Sequence, residues 1–134
     1  MGRIMVFGTF DILHAGHLDF FRQAKKLAKY LIVVVARDKF VKEAKGKSPK
    51  HSEKTRTRRV RNSPLVDKAI LGSRTHNFYR TIRTHKPSII ALGYDQKPNI
   101  NKLKRCLRRH RLKSIKIVRL KSYQPGKFKS SKLR

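Results

Sequence analysis

The sequence predicts an α/β fold: a doubly wound, five-stranded parallel sheet in the order 3-2-1-4-5, with helices on both faces. Three observations predict it. Short apolar runs alternate with longer segments whose apolar residues recur at helical spacing, the pattern of strand–helix–strand units in a parallel sheet. The run Tyr30 to Ala36 (YLIVVVA) is continuously apolar and rich in β-branched residues, as a strand buried on both faces must be. Polar and loop-forming residues cluster after the first four apolar runs, as "GTFDILHAGH", "RDKF", "GSRT" and "GYDQ". These are the carboxyl ends of the strands, where open parallel sheets bind ligands at the crevice in which strand order reverses.

Each element follows from its own residues. Arg3 to Phe7 (RIMVF) is the first strand, and residues 8–17 form the turn that leaves it. From Gly16 to Lys29, Leu18, Phe21, Ala24 and Leu27/Ala28 share one face while Arg22, Lys25, Lys26 and Lys29 lie opposite, so this is an amphipathic helix. Tyr30 to Ala36 is the second strand, and Asp38 to Ala44 a short helical segment. Lys45 to Ser52 (KGKSPKHS) reads as a loop because Gly, Pro and Ser interrupt regular structure. Ser52 is a suitable N-cap for a helix reaching Asn62. Val66 to Leu71 (VDKAIL) is the third strand and His76 to His85 the next helix. Ser88 to Leu92 (SIIAL) is the fourth strand. Asn99 caps a helix with Ile100, Leu103 and Leu107 on one stripe, and Ile115 to Leu120 (IKIVRL) is the fifth strand. The pattern leaves Lys121 to Arg134 open as a basic, Gly- and Pro-containing segment.

The 134 residues suit one domain, 1–134, large enough for a real core. The longest strongly apolar run, Leu31 to Ala36, is far too short to span a bilayer. No secretory segment precedes it, so the expected address is cytoplasmic and no membrane partner is expected. The single cysteine, Cys106, rules out an internal disulfide and agrees with a reducing compartment.

Charge is the compositional outlier. Lys and Arg total 36 against 7 Asp and Glu, a formal net charge of +29. Such a surface attracts polyanions, and nonspecific nucleic-acid binding at low salt is expected whether or not it has a biological role. The alternative is a general bias toward basic surface residues, consistent with their spread along the whole chain.

In "GTFDILHAGH", His14 stands in the turn and His17 in the first turn of the helix. Gly16 lets a phosphate approach the backbone, and the helix terminus offers free N–H groups. Gly8 would similarly admit a nucleotide at the end of the first strand. Taken singly, a His pair three residues apart is more often a surface or packing pair, and as a zinc pair it lacks further obvious ligands. Asp67 reads as a structural carboxylate at a strand end, and Arg58, Arg59 and Arg61 as a solvated helix face.

The whole string resembles the GxFDxxHxGH signature of the cytidylyltransferase-like nucleotidyltransferases. The resemblance continues through "ARDK", "KGKSPKHSEKTR", "PLVDKAILGS", "IIALGYDQ" and "VRLKSYQPGKFKSSKL", so it covers nearly the whole chain. It is strongest to the archaeal-type FAD synthases, through "ALGYDQ" and the Gly-Lys-aromatic-x-Ser-Ser-Lys ending. The resemblance implies a Rossmann-like domain that transfers the adenylyl group of ATP to FMN and releases pyrophosphate. One alternative implied by the wider family is a CTP-dependent enzyme acting on glycerol 3-phosphate or a similar phosphorylated alcohol. A second alternative is a basic nucleic-acid-binding protein on a degenerate transferase fold, against which the intact HxGH argues.

The resemblance also implies residue roles. His14 and His17 hold the triphosphate and stabilise the α-phosphate, with Gly8, Thr9, Phe10 and Gly16 supplying backbone around the nucleotide. Lys45 or Lys47 neutralises the reacting phosphates. Asp11 orients the acceptor or the metal-bound phosphates, and Arg56 contacts phosphate on the acceptor side. Gly93, Tyr94 and Asp95 shape the base, ribose and acceptor pockets. Lys127, Ser130 and Ser131 stand where the family binds the triphosphate. Mg²⁺ is expected to bridge substrate phosphates rather than sit in a protein cage. A homodimer is a further partner the sequence admits.

Overall fold

A computed structural model of the chain describes residues 2–74, 78–93, 96, 100–112 and 114–122. Its strands are β1 (Arg3–Gly8), β2 (Tyr30–Val35), β3 (Lys68–Leu71), β4 (Ile89–Leu92) and β5 (Lys116–Arg119). Its helices are α1 (Ala15–Leu27), α2 (Asp38–Lys45), α3 (Glu53–Arg61), α4 (Phe78–His85) and α5 (Ile100–Arg109). The strands form one parallel sheet in the order β3-β2-β1-β4-β5, as the sequence predicts.

Alternation along the central strands divides the core into two layers. Ile4 and Val6 of β1 and Leu31, Val33 and Val35 of β2 pack with Phe21 and Ala24 of α1 and Val60 of α3. Met5, Ile32, Val34 and Ile90 point to the other face, against Ile82 of α4 and Leu103 and Leu107 of α5. Ile4, Met5 and Val6 have no exposed surface, which explains why β1 and β2 contain almost no polar residues. Met5 lies across from Ile32 on one side and Ile90 on the other, so β1 is the middle strand.

This topology creates the site. The chain leaves β1 toward α1 on one face and leaves β4 toward α5 on the other. A crevice between the carboxyl ends of β1 and β4 is the result expected of such a reversal.

Several boundaries shift by one or two residues from the sequence reading, among them those of α2, β3 and β5. Lys45 closes α2 rather than opening the loop, because Gly46 takes the left-handed conformation (φ 78°) and its N–H donates to Lys42, a glycine helix stop. The third strand begins at Lys68, not Val66: Val66 N–H donates to Ser63 in a turn. Asp67, just before β3, accepts from Leu31 N–H at 2.7 Å and Lys25 Nζ at 2.7 Å, the structural role expected of it. The fifth strand is Lys116–Arg119, shorter than expected at both ends. The expected Asn99 cap lies outside the described residues.

Candidate active site at the carboxyl edge of the sheet

The turn after β1 builds the site from the backbone upward. Phe10 adopts a left-handed conformation (φ 52°), uncommon for a residue with a side chain. This places its ring in the core, 5.5 Å from Phe21 between centroids. The ring also runs beneath Gly8, where a Cβ would come within 2.6 Å of Phe10 Cζ. Gly8 is thus required by the packing of Phe10 itself, a reason the sequence reading did not contain. Phe10 then meets His17 edge-on, at 5.2 Å and 70°, and becomes the floor under that imidazole.

His14 is the N-cap of α1, its Nδ1 accepting from Gly16 N–H at 3.0 Å. An accepting Nδ1 places the proton of neutral His14 on Nε2, leaving that atom as a donor. One turn along, His17 stacks on His14 with centroids 4.0 Å apart and planes at 22°. Burial lowers the His17 pKa to about 4, helped by the charge of His14. Its Nδ1 is buried, turned away from solvent toward the Ile12 backbone, whose hydrogen bond works against the lowering. At neutral pH His17 is therefore uncharged, beside a helix N-terminus whose N–H groups suit phosphate oxygens.

These residues line a cavity of about 970 Å³, together with Gly8, Thr9, Asp11 and Gly16. Lys45 from α2 and Gly93 after β4 also line it. Lys47 is exposed and does not line this cavity. Tyr94, Asp95, Lys127, Ser130 and Ser131 lie outside the described residues.

Asp11 and Arg56 both act on the loop that carries the lysines. Asp11 accepts from the backbone N–H groups of Lys50 (2.7 Å) and His51 (2.9 Å). The Lys50 N–H is the main reason its carboxyl sits below the usual carboxylate range. Arg56 does not line the cavity. Its side chain is 0% exposed and donates to His51 O (3.0 Å), Thr9 O (2.8 Å) and Asp38 Oδ1 (2.6 Å). In this arrangement Arg56 is a positioning residue, tying the turn after β1 to the starts of α2 and α3. Glu53 and Asp38 lock those two helix starts by mutual backbone capping, and Arg37 bonds Glu53 and Gly72 O.

Sequence reasoning missed Gln96 and Arg119. Gln96 accepts from Gly93 N–H and donates to Phe7 O, both at 2.9 Å, bridging the ends of β1 and β4. Arg119 donates to Gly93 O and Gln96 O. Gln96 stood in the quoted "GYDQ", but only the juxtaposition of the two strand ends shows its role. Lys121 and Ser122 also line the cavity, and the Gln23 side-chain amide fastens Lys121 through both its N–H and its carbonyl.

A parallel sheet with paired imidazoles at its switch point, over a phosphate-sized helix terminus, defines a nucleotidyltransferase. The sequence profile described as Cytidylyltransferase-like matches residues 5–134. An FAD synthase of Aciduliprofundum boonei is 44% identical over 92% of this chain and 80% of its own length. One from Thermoplasma acidophilum is 41% identical over 100% of this chain and 92% of its own. A solved structure described as a lipopolysaccharide core biosynthesis protein from Thermoplasma volcanium superposes with a TM-score of 0.87 at 40% identity, covering 92% of this chain and 99% of that one. The chain belongs to the cytidylyltransferase-like family, alongside these FAD synthases.

Proposed function

We propose that this enzyme transfers the adenylyl group of ATP to FMN, giving FAD and pyrophosphate. The observation that carries the reading is the near full-length similarity to FAD synthases, joined to a cavity holding both imidazoles. A phosphate oxygen of FMN attacks the α-phosphorus of ATP. The new O–P bond forms as the bond to the bridging oxygen breaks, and that oxygen leaves with the electron pair as pyrophosphate. No side chain is covalently modified, so the protein acts by positioning and by stabilising charge.

In this scheme His14 Nε2 donates to the phosphates over the α1 terminus, and His17, stacked on it, completes the wall of the phosphate site. Lys45, at the end of α2, neutralises the acceptor side, with Lys47 following it on the loop. Asp11 holds that loop at the cavity rim. The described residues contain no cluster of three or more His, Cys, Asp or Glu able to cage a metal, and Asp11 is the one carboxylate among the described lining residues. This donor set fits Mg²⁺ bound by substrate phosphates, where it would offset their charge.

The test is product analysis with ATP or CTP against FMN and glycerol 3-phosphate. FAD and pyrophosphate from ATP plus FMN are expected. Product from CTP plus glycerol 3-phosphate alone would replace the proposal with the cytidylyltransferase reading.

A further inference from the structure

The amino ends of the strands, opposite the catalytic crevice, carry a second concave surface. Arg3, Tyr30 and Lys68, at the starts of β1, β2 and β3, meet Lys29 and the end of α4 at His85 around an open cleft of about 680 Å³. Its lining contributes Arg3, Lys29, Lys68 and an imidazole, and no carboxylate. Asp67 precedes Lys68, but its carboxylate is committed to Lys25 Nζ and Leu31 N–H. Arg3 donates to His85 O at 2.9 Å, so the end of α4 is fastened to the start of β1 and the Arg3 guanidinium is held at the cleft. Tyr30 is 39% exposed although its neighbours in β2 are buried. Like charges gathered with no carboxylate among the described lining residues repel, and an anion between them relieves that repulsion.

We propose that this cleft is a second nucleotide-binding site, taking a phosphate between Arg3, Lys29 and Lys68 with the Tyr30 ring beside it for the base. Cations next to an accessible aromatic ring are the combination that holds a phosphate and its base together. The ligand here is not a substrate of adenylyl transfer, because the two clefts lie at opposite ends of the sheet. A free mononucleotide and a single-stranded nucleic acid present the same phosphate and base, and experiment separates them. His85 offers a local probe: burial, then the charges of Lys68 and Arg3, hold its pKa below the ordinary value.

The experiment follows the His85 imidazole of the full chain by NMR, assigned with His85→Gln, while AMP or a short oligouridylate is added. Bound phosphate is expected to raise the His85 pKa. Lys29→Glu is expected to weaken that response about tenfold or more, the scale of a charge-assisted hydrogen bond, with ATP and FMN turnover unchanged. A response to AMP identifies the free nucleotide as ligand, and a response to the oligomer alone identifies the strand. A His85 titration that neither probe moves, or equal responses in wild type and Lys29→Glu, would overturn the proposal.

Discussion

His17 shows how one side chain can be set by its surroundings rather than by its type. Phe10 beneath it and His14 stacked on it remove water and disfavour charge. Its folded pKa, about 4, lies below the ordinary 6.5, so the folded state binds fewer protons than the unfolded chain. This contribution to stability is fully present above about pH 6.5 and is lost as pH falls toward 4. An NMR titration of the ligand-free protein should find His17 still neutral at pH 5.5; a midpoint near 6.5 would contradict the buried, stacked arrangement. Replacing His14 or His17 by Ala should lower kcat by roughly 10²-fold or more, as when a preorganised transition-state donor is removed. Circular dichroism should show the fold intact in both variants. Wild-type pyrophosphate release from either would remove that residue from catalysis.

At the scale of elements, the starts of α2 and α3 act as one clamp behind the site. Arg56 joins them to Thr9, so a residue without exposed surface governs the shape of the turn after β1. Arg56→Leu should cost about 3 kcal/mol in a urea titration. That is the lower end for a broken buried pair, since Asp38 is 41% exposed and keeps its water. A loss below about 1 kcal/mol, the size of an ordinary surface change, would contradict this clamp.

Asp11 is the corresponding latch on the loop from Gly46 to Ser52. Asp11→Ala should speed tryptic cleavage after Lys47 and Lys50 with little change in Tm, because it frees loop backbone without opening the core. The carboxyl titrates below its ordinary 3.8, so the latch is fully present above that pH and is lost as pH falls through the folded pKa. Equal cleavage rates in wild type and variant would show that Asp11 does not restrain the loop.

Across the whole molecule the governing quantity is the net charge of +29. Self-repulsion of this size opposes compactness and is screened by salt. Melting temperature should therefore rise between 20 and 300 mM NaCl, about the range over which the Debye length falls from a protein radius to a contact distance. Binding of duplex DNA should weaken steeply over the same range through counterion release. The KM values for ATP and FMN should change less, since ligands of few charges release fewer counterions than a duplex does. A Tm independent of salt would mean that the basic residues are already compensated. No described helix is long and apolar enough to cross a membrane.

The alternation of strands and helices, the polar strand ends and the His14–His17 pair were all legible in the chain, because each has a local cause. β-branched runs mark the buried strands, and a turn carrying HAGH marks the helix terminus. The limits of β3 were not legible: the strand starts late because Asp67 bonds Leu31 N–H from a distant strand. Nor was the inward turn of Arg56, whose acceptors come from three separate segments. An arginine beside a phosphate-binding motif reads as a phosphate ligand until the fold shows what surrounds it. Gln96 joins the ends of β1 and β4, which are far apart in the chain. Sequence alone thus determined which residue types stand at which strand end, through local pattern. Tertiary structure alone decided which of them face the cavity and which hold it in shape, because those hydrogen bonds exist only once distant backbone segments meet.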